Sequence, residues 1–245
     1  MIPYMRRKEI LSYLKNNEIT YINELTEIFS GVSESTIRRD LKNLEEEGKV
    51  NLLTGGAAKI NTSIYETPVK TKQKLNIEEK KKIAKKAASL INDGETIYID
   101  SGTTTLQMIQ YIKNKKIKLY TTNTLVLNEL NDSQFTCILI GGEITSSLGS
   151  IVGPTTDREL SKLFFDKAFI GANGCTIKGG INTPDIKEGR KKEIVQKNSK
   201  ESYVLLDNSK MGNQTAHKVF NLDECTIITD MEDEILKENA KYIIA

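Results

Sequence analysis

Residues 33–41, with the sequence SESTIRRDL, constrain the fold of this chain more than any other stretch. The Ser33 hydroxyl can accept a hydrogen bond from a free N–H group of a helix's first turn. Ile37, Leu41 and Leu44 recur at i, i+4 and i+7, so one side of this helix must face a core. The opposite side suits a DNA major groove and its phosphates, because it carries Ser35, Thr36, Arg38, Arg39 and Lys42. Taken alone, the pattern fits a solvated amphipathic helix as well.

The flanking residues favour a DNA-binding unit. Helical spacing predicts two earlier helices, over residues 6–15 and 22–29, and only a very short turn precedes Ser33. A helix, a tight turn and a capped basic helix make up the helix-turn-helix arrangement, whose second helix enters the major groove. Residues 49–60 contain a glycine turn between two short apolar runs, which predicts a two-stranded wing. We therefore predict a winged helix-turn-helix DNA-binding domain over residues 1–60.

Four blocks of this domain carry a resemblance to a known family: RRKEILSYL, INELTEIF, VSESTIRRDLKNLEEEGKV and GGA. They resemble the N-terminal domain of the DeoR family of bacterial transcription regulators. The TIRRDL block is the most specific of them. The resemblance implies that operator DNA is a partner of this chain.

Composition limits the class of protein. The chain has 245 residues, of which 38% are hydrophobic and 28% are charged, values typical of a globular protein with one or two domains. We expect no signal peptide and no membrane span, because charged residues follow almost directly after the first few residues and no apolar stretch is long enough. Three dispersed cysteines and the single His217 lack zinc-site spacing, so we expect reduced thiols, no metal and a cytoplasmic protein.

The rest of the chain is predicted to form an α/β domain behind a linker. Residues 61–76 lack strong periodicity and contain Pro68, which favours a linker. Residues 77–245 alternate short apolar runs with helical patterns, which predicts an α/β fold with a mostly parallel sheet. We predict strands over residues 96–100, 118–121, 136–140, 167–171, 202–206 and 226–229, with helices over 104–112, 125–130, 155–163 and 187–198.

Polar and glycine-rich residues follow several of these strands, where open α/β sheets bind ligands. After the first strand, consecutive hydroxyls precede a helix, an arrangement that suits a phosphate. The same Thr run also fits a plain helix cap and turn. The candidate ligand-binding residues are Ser101, Gly102, Thr103 and Thr104 for the phosphate, Thr122, Asn123, Gly141 and Gly142 in the next loops, Asp207 for sugar hydroxyls, and Lys210 for a phosphate or a sugar carboxylate.

The blocks DGETIYIDSGTTT, TTNTLVLNEL, LIGGEI, GSIVGPTT, FDKAFIGANG and LLDNSKMG extend the resemblance over nearly the whole chain. They resemble the C-terminal sensor domain of DeoR regulators, which is similar in fold to ribose-5-phosphate isomerase and glucosamine-6-phosphate deaminase. The resemblance implies a repressor of a sugar-catabolic or sugar phosphotransferase operon, released from DNA by a phosphorylated sugar. It also implies a homodimer or homotetramer. By this resemblance, the phosphate would be held by Ser101, Gly102, Thr103 and Thr104, and the sugar would be lined by Thr122, Asn123, Asp207 and Lys210.

Two other classes of function compete with this hypothesis. One is a sugar-phosphate isomerase or deaminase with an appended DNA module, for which Asp100, Glu143, Asp207 and Lys210 are candidate acids and bases. The other is an architectural DNA binder, which leaves the polar loops after the strands unexplained. Neither GxxxxGK[ST] nor GxGxxG is present, so we expect no nucleotide cofactor.

Overall fold

The structure is a computed structural model that describes residues 2–17, 19–47, 49–60 and 69–245. The chain divides into two compact units, Met1–Ser63 and Ile64–Ala245. Within the described ranges, no helix is both long enough and apolar enough to cross a membrane.

The first unit is a small helical domain with a three-stranded sheet. Its strands β1 (Thr20–Tyr21), β2 (Val50–Leu53) and β3 (Ala57–Ile60) pair antiparallel in the order β1-β3-β2. The hairpin of β2 and β3 confirms the predicted wing, whereas the two-residue strand β1 was not predicted because it is too short to show alternation. Its helices are α1 (Pro3–Asn16), α2 (Ile22–Ile28) and α3 (Glu34–Glu46).

Helix α3 begins and packs as its sequence predicts. The Ser33 hydroxyl accepts a hydrogen bond from the backbone N–H of Thr36, which confirms the N-cap. Ile37, Leu41 and Leu44 are fully buried in a core shared with α1, α2 and the wing. The apolar row therefore fixes which side of α3 remains available to a partner.

A buried ion pair joins α1 to α3. Arg6 Nε donates to Asp40 Oδ2 at 2.5 Å, and both side chains are less than a tenth exposed. Neither charge has access to enough water to be stable alone, so each depends on the other. The pair thereby fixes the position of α3 against α1.

The second unit is built on a seven-stranded sheet in the order β15-β14-β12-β9-β4-β5-β6, in which every neighbouring pair is parallel. Its strands are β4 (Thr96–Ile99), β5 (Lys118–Thr121), β6 (Thr136–Leu139), β7 (Glu143–Thr145), β8 (Ser150–Val152), β9 (Phe165–Gly171), β10 (Gly174–Thr176), β11 (Gly180–Thr183), β12 (Ser199–Leu205), β13 (His217–Phe220), β14 (Thr226–Thr229) and β15 (Lys241–Ile244). Its helices are α4 (Val69–Lys72), α5 (Ile77–Ser89), α6 (Thr103–Leu106), α7 (Ile109–Ile112), α8 (Pro154–Leu160), α9 (Ile186–Lys197) and α10 (Glu234–Asn239).

Both faces of this sheet are covered. Ile97 and Ile99 of β4 belong to one buried apolar cluster, whereas Tyr98 between them belongs to a second cluster on the other face. A strand that is buried on both sides reads as a continuous apolar run, which is typical of parallel sheets. This packing explains why the predicted α/β fold with a mostly parallel sheet is confirmed.

The order of the strands places a switch point between β4 and β9, and we call the space beyond the carboxyl ends of these two strands the crevice. From β4 the chain adds β5 and then β6 on one side, and later places β9 on the other side. Such a switch point leaves a gap beyond the carboxyl ends of the strands, which is where ligands bind in open α/β sheets. Gly102 follows β4 and Gly171 ends β9, and the Cα of each lies within 4 Å of the Cβ position of the other.

The linker prediction over residues 61–76 is too long. Residues 61–68 lie outside the described residues, but residues 69–76 belong to the second unit. Val69 is buried and begins the one-turn helix α4. The segment contains three lysines and no apolar periodicity, so its sequence gives little sign that the surrounding protein holds it.

Other differences involve short elements. The helix predicted over residues 104–112 is split into α6 and α7, and its Thr-rich start agrees with the modest helix propensity of β-branched residues. The helix predicted over residues 125–130 is a 3-10 helix over Thr124–Asn128. Strands β7, β8, β10, β11, β13 and β15 were not predicted, because three or four residues are too few to show clear alternation.

Substituting Asp40→Ala should destabilise the first unit by about 3–5 kcal/mol, because the Arg6 guanidinium stays buried without its carboxylate. Amide hydrogen exchange of the full chain, followed in peptides from α1 and α3, measures this loss. Glu34→Ala is the matched control, since Glu34 pairs with Arg38 on the surface of the same helix. The control should cost about 1 kcal/mol or less. Equal costs for the two variants would contradict a structural role for the buried pair.

Candidate functional site

The five predicted DNA-contacting residues lie on the outer side of α3. Ser35, Arg38, Arg39 and Lys42 are exposed, and Thr36 is half-buried. Their spacing of three and four residues places them on neighbouring turns of one face. The structure therefore leaves these side chains accessible to a groove, and their contacts with DNA remain a prediction.

Arg38 connects this face with the wing. Its guanidinium pairs with Glu34 at 2.7 Å, and both side chains are more than half exposed. The Cβ position of Gly56, in the turn between β2 and β3, lies 3.9 Å from Arg38 Nη2. Helix α3 and the wing turn thus form one surface, with a basic side chain between them.

In the second unit, four buried charged groups lie beneath the crevice. Asp100, directly after β4, is fully buried and accepts hydrogen bonds from Lys192 and from the backbone N–H of Gly171. Glu188 lies 3.1 Å from the Lys191 ammonium and 3.3 Å from that of Lys192. Two carboxylates and two ammonium groups therefore balance in charge where water is excluded.

This pairing determines the protonation state of the carboxylates. Burial alone would raise the pKa of Asp100, but the charges of Lys192 and Lys191 outweigh it and hold that pKa below its usual value. The pKa of Glu188 is lowered in the same way, with burial opposed by Lys191 and Lys192. Both carboxylates are thus anionic at neutral pH, and they hold the two lysines in place.

Lys191 extends this charged cluster to the predicted phosphate loop. Its ammonium donates to Ser101 Oγ at 3.1 Å and to Ser150 Oγ at 2.8 Å. Because an ammonium group only donates, Ser101 accepts from Lys191 and must direct its own proton elsewhere. Thr122 Oγ1 lies 2.8 Å from Ser101 Oγ and 2.7 Å from the Tyr98 hydroxyl. The hydroxyls of two loops are therefore linked to one buried cation.

The structure brings six of the predicted ligand residues together at the crevice. Asn123 Nδ2 donates to the Gly102 carbonyl at 3.4 Å, which joins the loop after β5 to the loop after β4. Thr103 and Thr104 begin α6 next to these contacts and are nearly buried. Thr105, which was not among the candidates, donates to the Asp100 and Gly102 carbonyls and fixes the turn.

Gly141 and Gly142 have a different environment. The Gly141 carbonyl accepts a hydrogen bond from Thr156. The Cβ position of Gly142 lies 2.0 Å from Thr156 Oγ1 and 2.8 Å from the Val152 carbonyl. Close packing against β8 and α8 is thus enough to require glycine at position 142. The contact of these glycines with a ligand stays a prediction.

Asp207 and Lys210 lie after β12, next to β9 in the sheet. Asp207 is buried, and its Oδ1 accepts hydrogen bonds from Asn76, from the Ser209 backbone N–H and from the Ser209 hydroxyl. Burial would raise its pKa, but the charge of Lys210 and these hydrogen bonds hold the pKa below its usual value. An anionic acceptor therefore lies at the same edge of the sheet as the predicted phosphate loop.

Sequence reasoning missed part of the site. Glu188, Lys191 and Lys192 come from α9, and Ser150 begins β8. Helix α9 carries charged residues on all sides, so it resembles a solvated helix rather than a buried one. Only the tertiary contact with Asp100 shows its role, and this contact leaves no periodic signal in the sequence.

The Asp100 carboxylate should make the stability of the second unit depend on acid. A group whose pKa is lower in the folded state contributes stability that is fully present above its unfolded pKa, near 3.8, and that is lost as the pH falls through its folded pKa, about 2. Urea denaturation followed by circular dichroism from pH about 5 to about 3 measures the slope. Asp100→Asn should flatten it, and so should Lys192→Met, which removes the neighbouring cation. An unchanged slope in both variants would contradict the charge balance.

Comparison with known proteins agrees with this division into two units. The family model described as the DeoR-like helix-turn-helix domain matches residues 6–63, and that described as the DeoR C terminal sensor domain matches residues 75–231. The chain is 36% identical to the HTH-type transcriptional regulator FruR of Bacillus subtilis over 240 residues, covering 98% of this chain and 95% of that protein. It is 34% identical to the lactose phosphotransferase system repressor of Staphylococcus aureus over 250 residues, covering 100% of this chain and 98% of that protein.

Among solved structures, ribose 5-phosphate isomerase A of Methanocaldococcus jannaschii is similar to part of the chain. The similarity has a TM-score of 0.41 and 22% sequence identity, and it covers 56% of this chain and 55% of that chain. The relatives that match over the full length are named as regulators or repressors, so the chain is a regulator and not an isomerase or deaminase. It belongs to the DeoR family of transcriptional regulators, with a DNA-binding helix-turn-helix domain and a C-terminal sensor domain.

Proposed function

We propose that this protein represses a sugar-catabolic or sugar phosphotransferase operon and leaves its operator when a phosphorylated sugar binds the crevice between β4 and β9. The observation that carries the proposal is the linked set of hydroxyl groups at this crevice, held in place by the buried ammonium of Lys191. The name of the staphylococcal relative, a lactose phosphotransferase system repressor, agrees with a sugar operon as the target.

The crevice suits a phosphate group for electrostatic reasons. Helix α6 has a single turn, so its macrodipole is small and the attraction comes mainly from hydroxyls and from N–H groups of the first turn. Ser101 accepts from Lys191, which leaves its proton for Thr122 or for a bound anion. Asp207 at the same edge can accept hydrogen bonds from sugar hydroxyls. A ligand with an anionic end and a hydroxylated end matches both the donors of the loop after β4 and the acceptor Asp207.

Repression follows from two DNA-binding units acting together. We propose a homodimer or homotetramer, in which two α3 helices enter major grooves about 34 Å apart or a multiple of this distance. Because the operator is on the chromosome, we expect the protein in the cytoplasm. The effector must bind the DNA-free conformation more tightly than the DNA-bound one, because a ligand with equal affinity for both shifts neither.

Substituting Arg38→Ala or Arg39→Ala should weaken binding to operator DNA selected from a random pool. Loss of an arginine that contacts a base should cost about 1–3 kcal/mol of binding free energy and relax the preference for one base pair of the operator. Loss of an arginine that contacts a phosphate should weaken binding to all sequences alike. Fluorescence anisotropy at fixed salt measures both effects. Lys118→Ala is the control, because it removes an exposed charge from β5 in the other unit. Unchanged affinity in both arginine variants would exclude this face as the DNA interface.

The double substitution Thr103→Ala and Thr104→Ala should abolish the response to phosphorylated sugars and leave operator affinity unchanged. These hydroxyls lie beside the crevice and far along the chain from α3. Thermal shift against fructose, tagatose, galactosamine and glycerol phosphates measures ligand binding, since a ligand of the folded state raises its stability. Thr136→Ala, an exposed threonine at the start of β6, is the matched control. A retained shift in the double variant would place the phosphate elsewhere.

A further inference from the structure

Residues 69–76, which we call the strap, are the first described residues of the second unit and are held against the rest of that unit at both ends. At the first end, the backbone N–H of Val69 donates to the Ser147 carbonyl at 2.8 Å, and the Val69 side chain is buried. At the last end, Asn76 Nδ2 donates to Asp207 Oδ1 at 3.0 Å and to Ser209 Oγ at 3.2 Å. A stretch that the sequence predicts as linker is thus docked.

Helix α5 holds the middle of the strap. The Lys80 side chain, which is 4% exposed, donates to the carbonyls of Lys72 and Leu75. These are carbonyls near the end of a one-turn helix, where an ammonium group is a good partner. The strap therefore rests on specific donors and acceptors along its length.

Both ends of the strap meet loops of the proposed effector site. Ser147 lies in the β7–β8 connection, and at the end of that connection the Gly149 carbonyl accepts hydrogen bonds from the backbone and the hydroxyl of Thr124. The backbone N–H of Ile151 in β8 donates to the Thr122 carbonyl at 2.9 Å. The other end rests on Asp207. Movement of either loop on ligand binding must therefore disturb a strap contact.

The hydrogen bond from Asn76 to Asp207 is one that a ligand can replace. Asp207 Oδ1 already accepts from three donors, two of which belong to Ser209 in the same turn. A sugar hydroxyl that donates to this oxygen has to replace one of them. The exposed Asn76 is the donor that can leave, because it comes from outside the turn.

We propose that the strap transmits effector binding to the DNA-binding unit: the sugar hydroxyls replace Asn76 on Asp207, and the strap leaves the sensor domain. This inference rests on the proposed function. Release adds eight residues, 69–76, to the chain between α5 and the helix-turn-helix unit, or about 28 Å at full extension. A longer connection lowers the effective concentration of the second DNA-binding unit at its half-site, which weakens bivalent binding to the operator.

The backbone of Asn76 provides a clean variant. Asn76 has φ of +50°, and Asp132 is the other non-glycine residue with positive φ in the described ranges. Glycine adopts this conformation without strain, so Asn76→Gly removes the amide and leaves the turn intact. Asp132→Gly makes the matched backbone change in the loop before β6, which has no contact with the strap among the described hydrogen bonds.

The experiment uses the full chain in three measurements: hydrogen exchange of residues 69–80, anisotropy with selected operator DNA, and thermal shift with the sugar phosphates named above. For Asn76→Gly we expect faster exchange of the strap, operator affinity lowered by about five-fold or more, and tighter binding of the active sugar phosphate. Lys80→Met removes the donor to the Lys72 and Leu75 carbonyls and leaves the Asn76–Asp207 hydrogen bond in place, so it should reproduce the first two effects. Asp132→Gly should behave as the wild type.

The outcomes separate the strap from the effector. If one sugar phosphate binds and releases the operator equally from wild type and Asn76→Gly, with unchanged strap exchange, the strap proposal is overturned and the proposed function stands. If Asn76→Gly and Lys80→Met weaken operator binding but no sugar phosphate binds any variant, the strap is supported and the effector assignment fails. Wild-type behaviour of both strap variants in all three measurements overturns the strap proposal.

Discussion

The sensor domain depends on the placement of Asp100, a carboxylate without access to water at the carboxyl end of β4. An isolated buried carboxylate is too costly to persist, so its two lysine partners have to be delivered by α9. The same contacts fix β9, through the Gly171 N–H, and the phosphate loop, through Lys191 and Ser101. The same buried contacts therefore hold both the sheet and the crevice, and removal of one charged group leaves the buried cluster with an excess charge.

The sequence predicted the elements whose signal is local. Strands over residues 118–121 and 226–229 were predicted with their observed bounds, because each is an apolar run closed by polar residues. The Ser33 cap and the apolar row of α3 follow from the same kind of short-range pattern. The loop residues after β4 and β5 were predicted because a parallel sheet places successive strand ends at one edge.

The parts that could not be predicted depend on contacts between distant residues. Lys191 is fully buried in a helix that is otherwise rich in charge, and nothing in its neighbours distinguishes it from a surface lysine. The strap was assigned to a linker because its lysines and its lack of periodicity are also those of a solvated connection. The residues that hold the strap, Ser147 and Asp207, lie far from it in sequence. Local sequence patterns predict helices and strands well, but they do not predict which polar side chains form hydrogen bonds or ion pairs with each other.

The ion pair between Arg38 and Glu34 affects the DNA contact that we propose for Arg38. An arginine that already has a carboxylate partner on its own helix has to exchange that partner before it binds a phosphate. This exchange would reduce the free energy gained from non-specific contact with DNA phosphates, whereas a bidentate contact with a guanine base would offset the loss. In the DNA contact that we propose for Arg38, Glu34 would thus weaken binding to random sequence more than binding to the operator, which raises specificity without an added contact.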